Sequence, residues 1–308
     1  MTRIVLLSED IDMIDVRDAL NAQAPDLQLS FPSEPDAFEA EVAVCWNPPA
    51  GSFARMPNLR LVHSIAAGID NLRRDPTLPQ VPVCRIVDPE HRQGMAEYVL
   101  WGVLHFHRHM DRILANQMRH VWEMPAQQPA SARTIGVMGL GALGGHVAQT
   151  LASMGFGVRG WARSAKQLDG VETYAGEHSL GAFLTGLDMV VCLLPMTEQT
   201  CGVLNAQAFE KLSQGAVVIN CGRGEHVVLP DLQAALESGQ LRGALLDVFE
   251  QEPLPSDDPI WTIPGVIVTP HIASFASREA VAAQIVANVR RLERGEPLQN
   301  KADPTAGY

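Results

Sequence analysis

The chain has 308 residues, 46% of them hydrophobic, with 35 acidic and 23 basic side chains and a formal net charge of −12. That length accommodates two domains, and a mean hydropathy of +0.02 suits an ordinary soluble globular protein. The charge argues against nucleic acid and anionic membranes as partners, and no apolar run approaches the roughly 18 residues a membrane span needs.

The opening MTRIVLLSEDID meets acidic residues too soon for a signal peptide, and Ile4–Leu7 reads as a first strand. A helix is expected over Met13–Ala22, then strands over Gln28–Phe31, Val42–Trp46, Leu61–Ser64 and Val83–Val87. This alternation predicts a small doubly wound α/β domain. From Gly94 to about Met118 the pattern predicts one long helix. Its first half, MAEYVLWGVLHF, is apolar nearly all round and must be buried on most faces. A linker helix packed against a second copy of the chain would satisfy it, so a homodimer is expected. On such a helix His105 and His109 share a face without His107, and a third ligand is missing. No metal site is expected there; an interface or solvent-facing role is.

After a loop over Glu123–Arg133, a second α/β series begins. Its strands are expected over Thr134–Met138, Gly157–Trp161, Met189–Leu194, Ala216–Cys221, Ala244–Val248 and Val266–Thr269. The first opens into Gly139-x-Gly141-x-x-Gly144, followed by helical spacing over His146–Met154. Strand, glycine turn and helix in that order form a dinucleotide-binding fingerprint. Gly139 permits the tight turn, Gly141 lets backbone approach a pyrophosphate, and Gly144 lets helix and strand pack. The helix start, with Ala142 and Leu143, offers free N–H groups to the anion. A glycine-rich βα turn also occurs without a nucleotide, so its position is what counts. A last helix is expected over Ala276–Gly295. The expected domains are 1–95 with 276–308, and 96–275. The five cysteines, Cys45, Cys84, Cys192, Cys201 and Cys221, are scattered and form no CxxC pair. Reduced thiols in a cytoplasmic protein are expected.

Three further sites fall at expected strand ends, where open α/β sheets bind ligands. Arg223 lies in Asn220-Cys221-Gly222-Arg223-Gly224-Glu225. Its guanidinium fork suits a carboxylate and a neighbouring carbonyl. The acidic run from Asp247 through Glu250 to Glu252 holds a carboxylate able to orient an imidazole, and His271 stands in Thr269-Pro270-His271-Ile272-Ala273-Ser274. Alone, each reads equally as a surface arginine, a solvated acidic turn or a structural histidine. Together they supply an anion clamp, a carboxylate and a titratable ring around one nucleotide fold.

With these motifs in place, the chain resembles the D-isomer-specific 2-hydroxyacid dehydrogenases, most of all their glyoxylate/hydroxypyruvate reductase branch. The resemblance extends through Asp258–Ser274 (DPIWTIPGVIVTPHIAS) to the terminal Gly307 and Tyr308. It implies a Rossmann dinucleotide domain inserted in a flavodoxin-like substrate domain. It implies catalytic roles for Arg223, Glu252 and His271. It matches Ser64–Asp70 (SIAAGID) to a substrate loop whose amides, at Ala66, Ala67 and Gly68, hold a carboxylate. Trp46 and Trp122 join the substrate-binding set, Trp122 as a side chain reaching a partner's active site or else a plain packing residue. Leu194, Pro195 and Thr200 are expected to border the adenosine. Asp247 is matched to the acid that meets the nicotinamide carboxamide, with Cys221, Gly222, His271, Ala273 and Ser274 also beside the cofactor.

One departure is informative. An NAD-specific site carries an acid near the end of the second strand, about 20 residues past the glycines. Here Ala162 stands in its place, followed by Arg163, Ser164 and Lys166. NADPH is therefore expected over NADH, with NAD possible. The expected activity is NADPH-dependent reduction of small 2-keto acids. The alternatives are an NAD-linked dehydrogenase of a larger D-2-hydroxy acid, and a cofactor-sensing interaction protein on the same scaffold.

Overall fold

The computed structural model describes residues 2–69, 72 and 75–302. Asp70, Gly307 and Tyr308, named above, lie outside them. The chain divides into two units, one of residues up to 91 with those from 275 on, the other of residues 92–274.

The first unit begins β1 (Arg3–Leu7), α1 (Ile14–Gln23), β2 (Gln28–Ser30), β3 (Val42–Cys45), β4 (Leu61–Ser64) and β5 (Val83–Cys84). Helix α2 (Pro89–His107) leads into the second unit, followed by α3 (Met110–Met118), β6 (Thr134–Met138), α4 (Ala142–Ser153) and β7 (Gly157–Ala162). Next come β8 (Glu172–Ala175), α5 (Leu180–Leu184), β9 (Met189–Cys192), α6 (Ala206–Lys211) and β10 (Ala216–Asn220). The unit closes with α7 (Leu229–Glu237), β11 (Leu241–Leu246) and β12 (Val266–Val268). The chain then returns to the first unit with α8 (Arg278–Arg294) and β13 (Lys301–Ala302).

In the first unit the strand order is β13-β5-β4-β3-β1-β2. All neighbours are parallel except β13, which pairs antiparallel to β5. Its five parallel strands have the flavodoxin-like 2-1-3-4-5 order. Both faces are covered, so β1 after its exposed Arg3, β3 and β4 are buried apolar runs broken only by His63 and Ser64. Ser277 caps α8, its Oγ accepting the Ala280 N–H at 3.2 Å, and Gly295 ends it at φ +67°. Val281, Ala282, Ile285 and Val289 of α8 share one core with Val16 and Leu20 of α1.

The second unit holds a seven-stranded parallel sheet ordered β12-β11-β10-β9-β6-β7-β8. Numbered within the unit, that is the Rossmann 3-2-1-4-5-6 order with one more strand. The strand order reverses between β6 and β9, which lie side by side. The expected α/β architecture, a dinucleotide domain inserted in a substrate domain, is therefore present.

Four expectations change. The long helix over 94–118 is two helices, because His109 takes a left-handed φ of +57° between α2 and α3. His105 and His109 consequently do not share a helix face, and His107 packs inside, edge-on to Phe156 at 5.1 Å. Helix α2 is buried mainly in its own unit, through Met95, Val99, Val103 and Phe106, and exposes Trp101. The sheet has a strand, β8, that the sequence did not reveal: ETYA is a short, half-exposed edge strand without an apolar face. The strand expected at Ala244–Val248 starts earlier, at Leu241. Arg242-Gly243 interrupts its apolar run, and Gly243 is required there because a Cβ would stand 2.4 Å from the Phe106 ring. Helix α4 begins at Ala142, ahead of the expected His146, since three glycines dilute its first turns.

Candidate active site

The glycine turn after β6 has the geometry that a dinucleotide requires. Gly139 takes φ +96°, which L side chains rarely adopt. A Cβ on Gly144 would lie 1.8 Å from the Gly139 carbonyl oxygen, so only glycine lets α4 approach the turn. A Cβ on Gly141 would meet nothing within 4 Å, so open space remains beside the backbone. The first N–H groups of α4, at Ala142 and Leu143, follow that space and have no intrahelical acceptor. This cradle fits a pyrophosphate.

Past β7, Ala162 is buried at the strand end, while Arg163, Ser164 and Lys166 are exposed. Past β9, Thr200 knots its loop: Oγ1 donates to the Pro195 carbonyl at 2.9 Å and accepts the Thr197 N–H at 2.9 Å. Leu194 is buried beside it.

Arg223 leaves the end of β10 on a tightly tied turn. Asn220 donates Nδ2 to the Arg223 carbonyl at 2.8 Å and accepts the Gly222 N–H at 3.1 Å. His226 is fully buried and accepts the Arg223 N–H on Nδ1 at 3.0 Å. That leaves Nε2–H to donate to the Pro195 carbonyl at 3.3 Å, so one ring couples the loops after β9 and β10. Gly224 packs on the next loop so closely that a Cβ would lie 2.1 Å from the Phe249 carbonyl carbon.

Asp247, just past β11, is 1% exposed and accepts three hydrogen bonds. Oδ1 takes Thr269 Oγ1–H at 2.6 Å and Ile272 N–H at 2.8 Å; Oδ2 takes Ala273 N–H at 2.8 Å. Burial pushes its carboxyl above the ordinary value, and the three donors and His271 oppose that. Since Thr269 donates to Asp247, Tyr98 of α2 must donate to Thr269, at 2.5 Å. The loop so held places His271 at φ +54°. His271 Nδ1 donates to Glu252 Oε2 at 2.7 Å, and Glu252 Oε1 accepts the Phe249 N–H at 2.8 Å. Burial raises the Glu252 carboxyl, but the His271 bond and charge, the Phe249 N–H and the Arg223 charge outweigh it. Its pKa ends below the ordinary glutamate value.

The second unit thus brings Arg223, Glu252 and His271 together past the ends of its strands. The Asp247 carboxylate, expected at the nicotinamide, also acts as the tether of the His271 loop. Trp122 is 94% exposed on the irregular stretch after α3. Among the described residues no group of three or more His, Cys, Asp or Glu is placed to hold a metal, and no helix is long and apolar enough to cross a membrane.

In the first unit, the residues of the loop expected to hold substrate follow β4. Ser64 Oγ accepts the Ala66 N–H and donates to the Gly68 carbonyl, both at 3.0 Å. The Ala66 carbonyl accepts the Ile86 N–H at 2.9 Å. Ala66 is therefore engaged on both sides, whereas the Ala67 and Gly68 N–H groups have no acceptor among the described residues. Behind the loop, buried His63 donates Nδ1–H to the Ser64 carbonyl at 2.8 Å and accepts Asn288 Nδ2–H at 3.1 Å. Burial pushes its pKa down to about 4, keeping it neutral. Trp46 lies half-buried just past β3.

Residues 100–273 match the family described as "D-isomer specific 2-hydroxyacid dehydrogenase, NAD binding domain". The chain belongs to that family. The dehydrogenase is 41% identical over 295 residues to a glyoxylate/hydroxypyruvate reductase A of Serratia proteamaculans, covering 94% of each chain. It superimposes with a TM-score of 0.92 on a D-isomer specific 2-hydroxyacid dehydrogenase of Xanthobacter autotrophicus solved with NADPH and MES, at 42% identity over 100% of this chain and 99% of that one. An NADPH-dependent glyoxylate/hydroxypyruvate reductase of Sinorhizobium meliloti, solved with NADP and sulfate, gives 0.93 at 37% identity over 100% of both chains.

Sequence reasoning on the dehydrogenase missed His226 and Tyr98, and quoted Asn220 and Ser64 within motifs without their role of holding backbone. A polar residue inside an otherwise apolar strand, as at Ser64 and Asn220, is the signal that could have marked that role.

The Glu252–His271 pair sets a pH test. A carboxyl whose folded pKa is depressed contributes stability above its unfolded value and loses it as pH falls through the folded one. Glu252→Gln is expected to remove that contribution, so the melting temperature should fall less steeply below about pH 4 than in the parent. Thermal melts across acid pH check this, and parallel curves would contradict it.

Proposed function

We propose that this chain reduces small 2-keto acids, glyoxylate and hydroxypyruvate, to 2-hydroxy acids with NADPH. The observation that carries this reading is the Arg223, Glu252 and His271 cluster at the strand ends of a dinucleotide sheet. The names of the Serratia and Sinorhizobium relatives support the substrate class. Bound, the reduced nicotinamide supplies the hydride. The Ala67 and Gly68 amides bind the substrate carboxylate. Arg223 grips carboxylate and keto oxygen with its fork and polarises the carbonyl. Protonated His271 gives its proton to that oxygen as the carbonyl carbon is reduced. Glu252 accepts Nδ1–H and fixes the ring.

His271→Ala is expected to lower kcat by about 100-fold or more, the scale of a positioned general acid, while NADPH binding is kept. NADPH oxidation with glyoxylate and a fluorescence titration of NADPH measure the two. A variant reducing glyoxylate at the parent rate would overturn the assignment.

NADPH preference rests on the residues after β7. A ribose 2′-phosphate near Arg163, Ser164 and Lys166 gains charge-assisted hydrogen bonds. The parent is expected to favour NADPH over NADH in kcat/KM by about 10-fold or more. Arg163→Ala should erase most of that gap and spare activity with NADH. A parent preferring NADH, or a variant keeping the full ratio, would refute the assignment.

We also read the chain as a cytoplasmic homodimer. Its five cysteines are free, four of them buried, in keeping with a reducing compartment. Trp101, Leu114, Met118, Trp122 and Met124 are exposed on α2, α3 and the following arm, a density of large apolar groups that suits a covered surface. Light scattering at micromolar concentration is expected to report twice the chain mass. A stable monomer would contradict it.

A further inference from the structure

The first unit holds a cation that the reaction described so far does not use. Arg85 directly follows β5, and β5 lies beside β4 in parallel register, His63 opposite Cys84. Arg85 and the Ser64–Gly68 loop therefore leave the sheet at the same end of neighbouring strands. Arg85 Nη1 donates to the Ala67 carbonyl at 3.0 Å, and its own N–H donates to the Asn300 carbonyl at 3.1 Å. The side chain is half-buried, and no described carboxylate pairs with it. Burial lowers its pKa, with no anionic neighbour opposing that.

A partly desolvated guanidinium without an anion is a costly arrangement. The loop it holds carries two N–H groups, at Ala67 and Gly68, that likewise have no described acceptor, the Gly68 N–H lying across the peptide from the carbonyl that Arg85 holds. Guanidinium carries five donors, and the Ala67 carbonyl occupies one nitrogen only. Cation and amides thus belong to one loop, and each favours an anion bound there. In a chain with net charge −12 the overall field repels such a ligand, so a local cation is needed to admit it.

We propose that Arg85 is the anion-recognising residue of the first unit, fixing the substrate loop through Ala67 and lending its charge to the carboxylate held by the Ala67 and Gly68 amides. Its effect is specificity: it favours keto acids over neutral carbonyl compounds. This rests on the keto-acid reading given above.

The test compares kcat/KM for glyoxylate and for its uncharged methyl ester in the intact enzyme, with the KM for NADPH and the melting temperature recorded alongside. Arg85→Gln is expected to lower glyoxylate kcat/KM by about 10-fold or more, mostly through KM. The ester, which shares the loop but not the charge, should fall clearly less than glyoxylate, and the KM for NADPH should not move. Arg85→Lys, which keeps the charge, should recover most of the preference for glyoxylate. Glyoxylate and ester falling alike, or glutamine and lysine behaving alike, would overturn the proposal and leave a loop tether. If the glutamine variant does not fold, Arg85→Met keeps the aliphatic stem and carries the same glyoxylate-versus-ester comparison. A parent that oxidises NADPH with no keto acid would instead refute the functional reading itself.

Discussion

The carboxylate of Asp247 governs where His271 stands. Burying a charge at 1% exposure is costly unless donors surround it. Here Thr269, Ile272 and Ala273 supply three, and all belong to the loop that carries His271. The loop cannot shift without stripping the carboxylate of its partners. That constraint holds His271 in a left-handed conformation that a non-glycine residue rarely takes. Glu252 then acts on a ring whose position is already set.

Charge is distributed on the same logic. The chain is strongly acidic as a whole, yet its ligands in the proposed reaction are anions. Attraction therefore has to be local, and the structure supplies it at strand ends: backbone amides at the start of α4 and on the loop after β4, and the guanidinium of Arg223. Amides bind anions without adding net charge, and glycine turns expose them at no steric cost. Arg223 in turn depends on two uncharged supports, Asn220 and buried His226, which fix its backbone rather than its side chain.

Much of this was legible in the sequence because it rests on local pattern. Continuous apolar runs gave the central strands, and the glycine spacing gave the cradle. Arg223, Glu252 and His271 stood out because each follows a strand. What was not legible depends on neighbours distant in the chain. Helix α2 ends at His107 for a reason no helical periodicity carries, the turn at His109. Strand β8 is an edge with no buried face to announce it. Ser64 and Asn220 act through hydrogen bonds to backbone a few residues away, and the sequence marks them only as polar interruptions in apolar strands.

The return of the chain to its first unit has a consequence for how the molecule forms. The second unit is one uninterrupted stretch and holds its whole sheet within residues 92–274. The first unit closes its core only when α8 packs on α1, joining Val281 and Ile285 to Val16 and Leu20 across most of the chain. On the ribosome, the interrupting unit is complete before the interrupted one has the residues it needs. Until α8 emerges, Val16 and Leu20 of α1 lack the cover that Val281, Ile285 and Val289 supply. The growing chain therefore carries an open sticky surface through most of its synthesis, and its last helix is the piece that seals it.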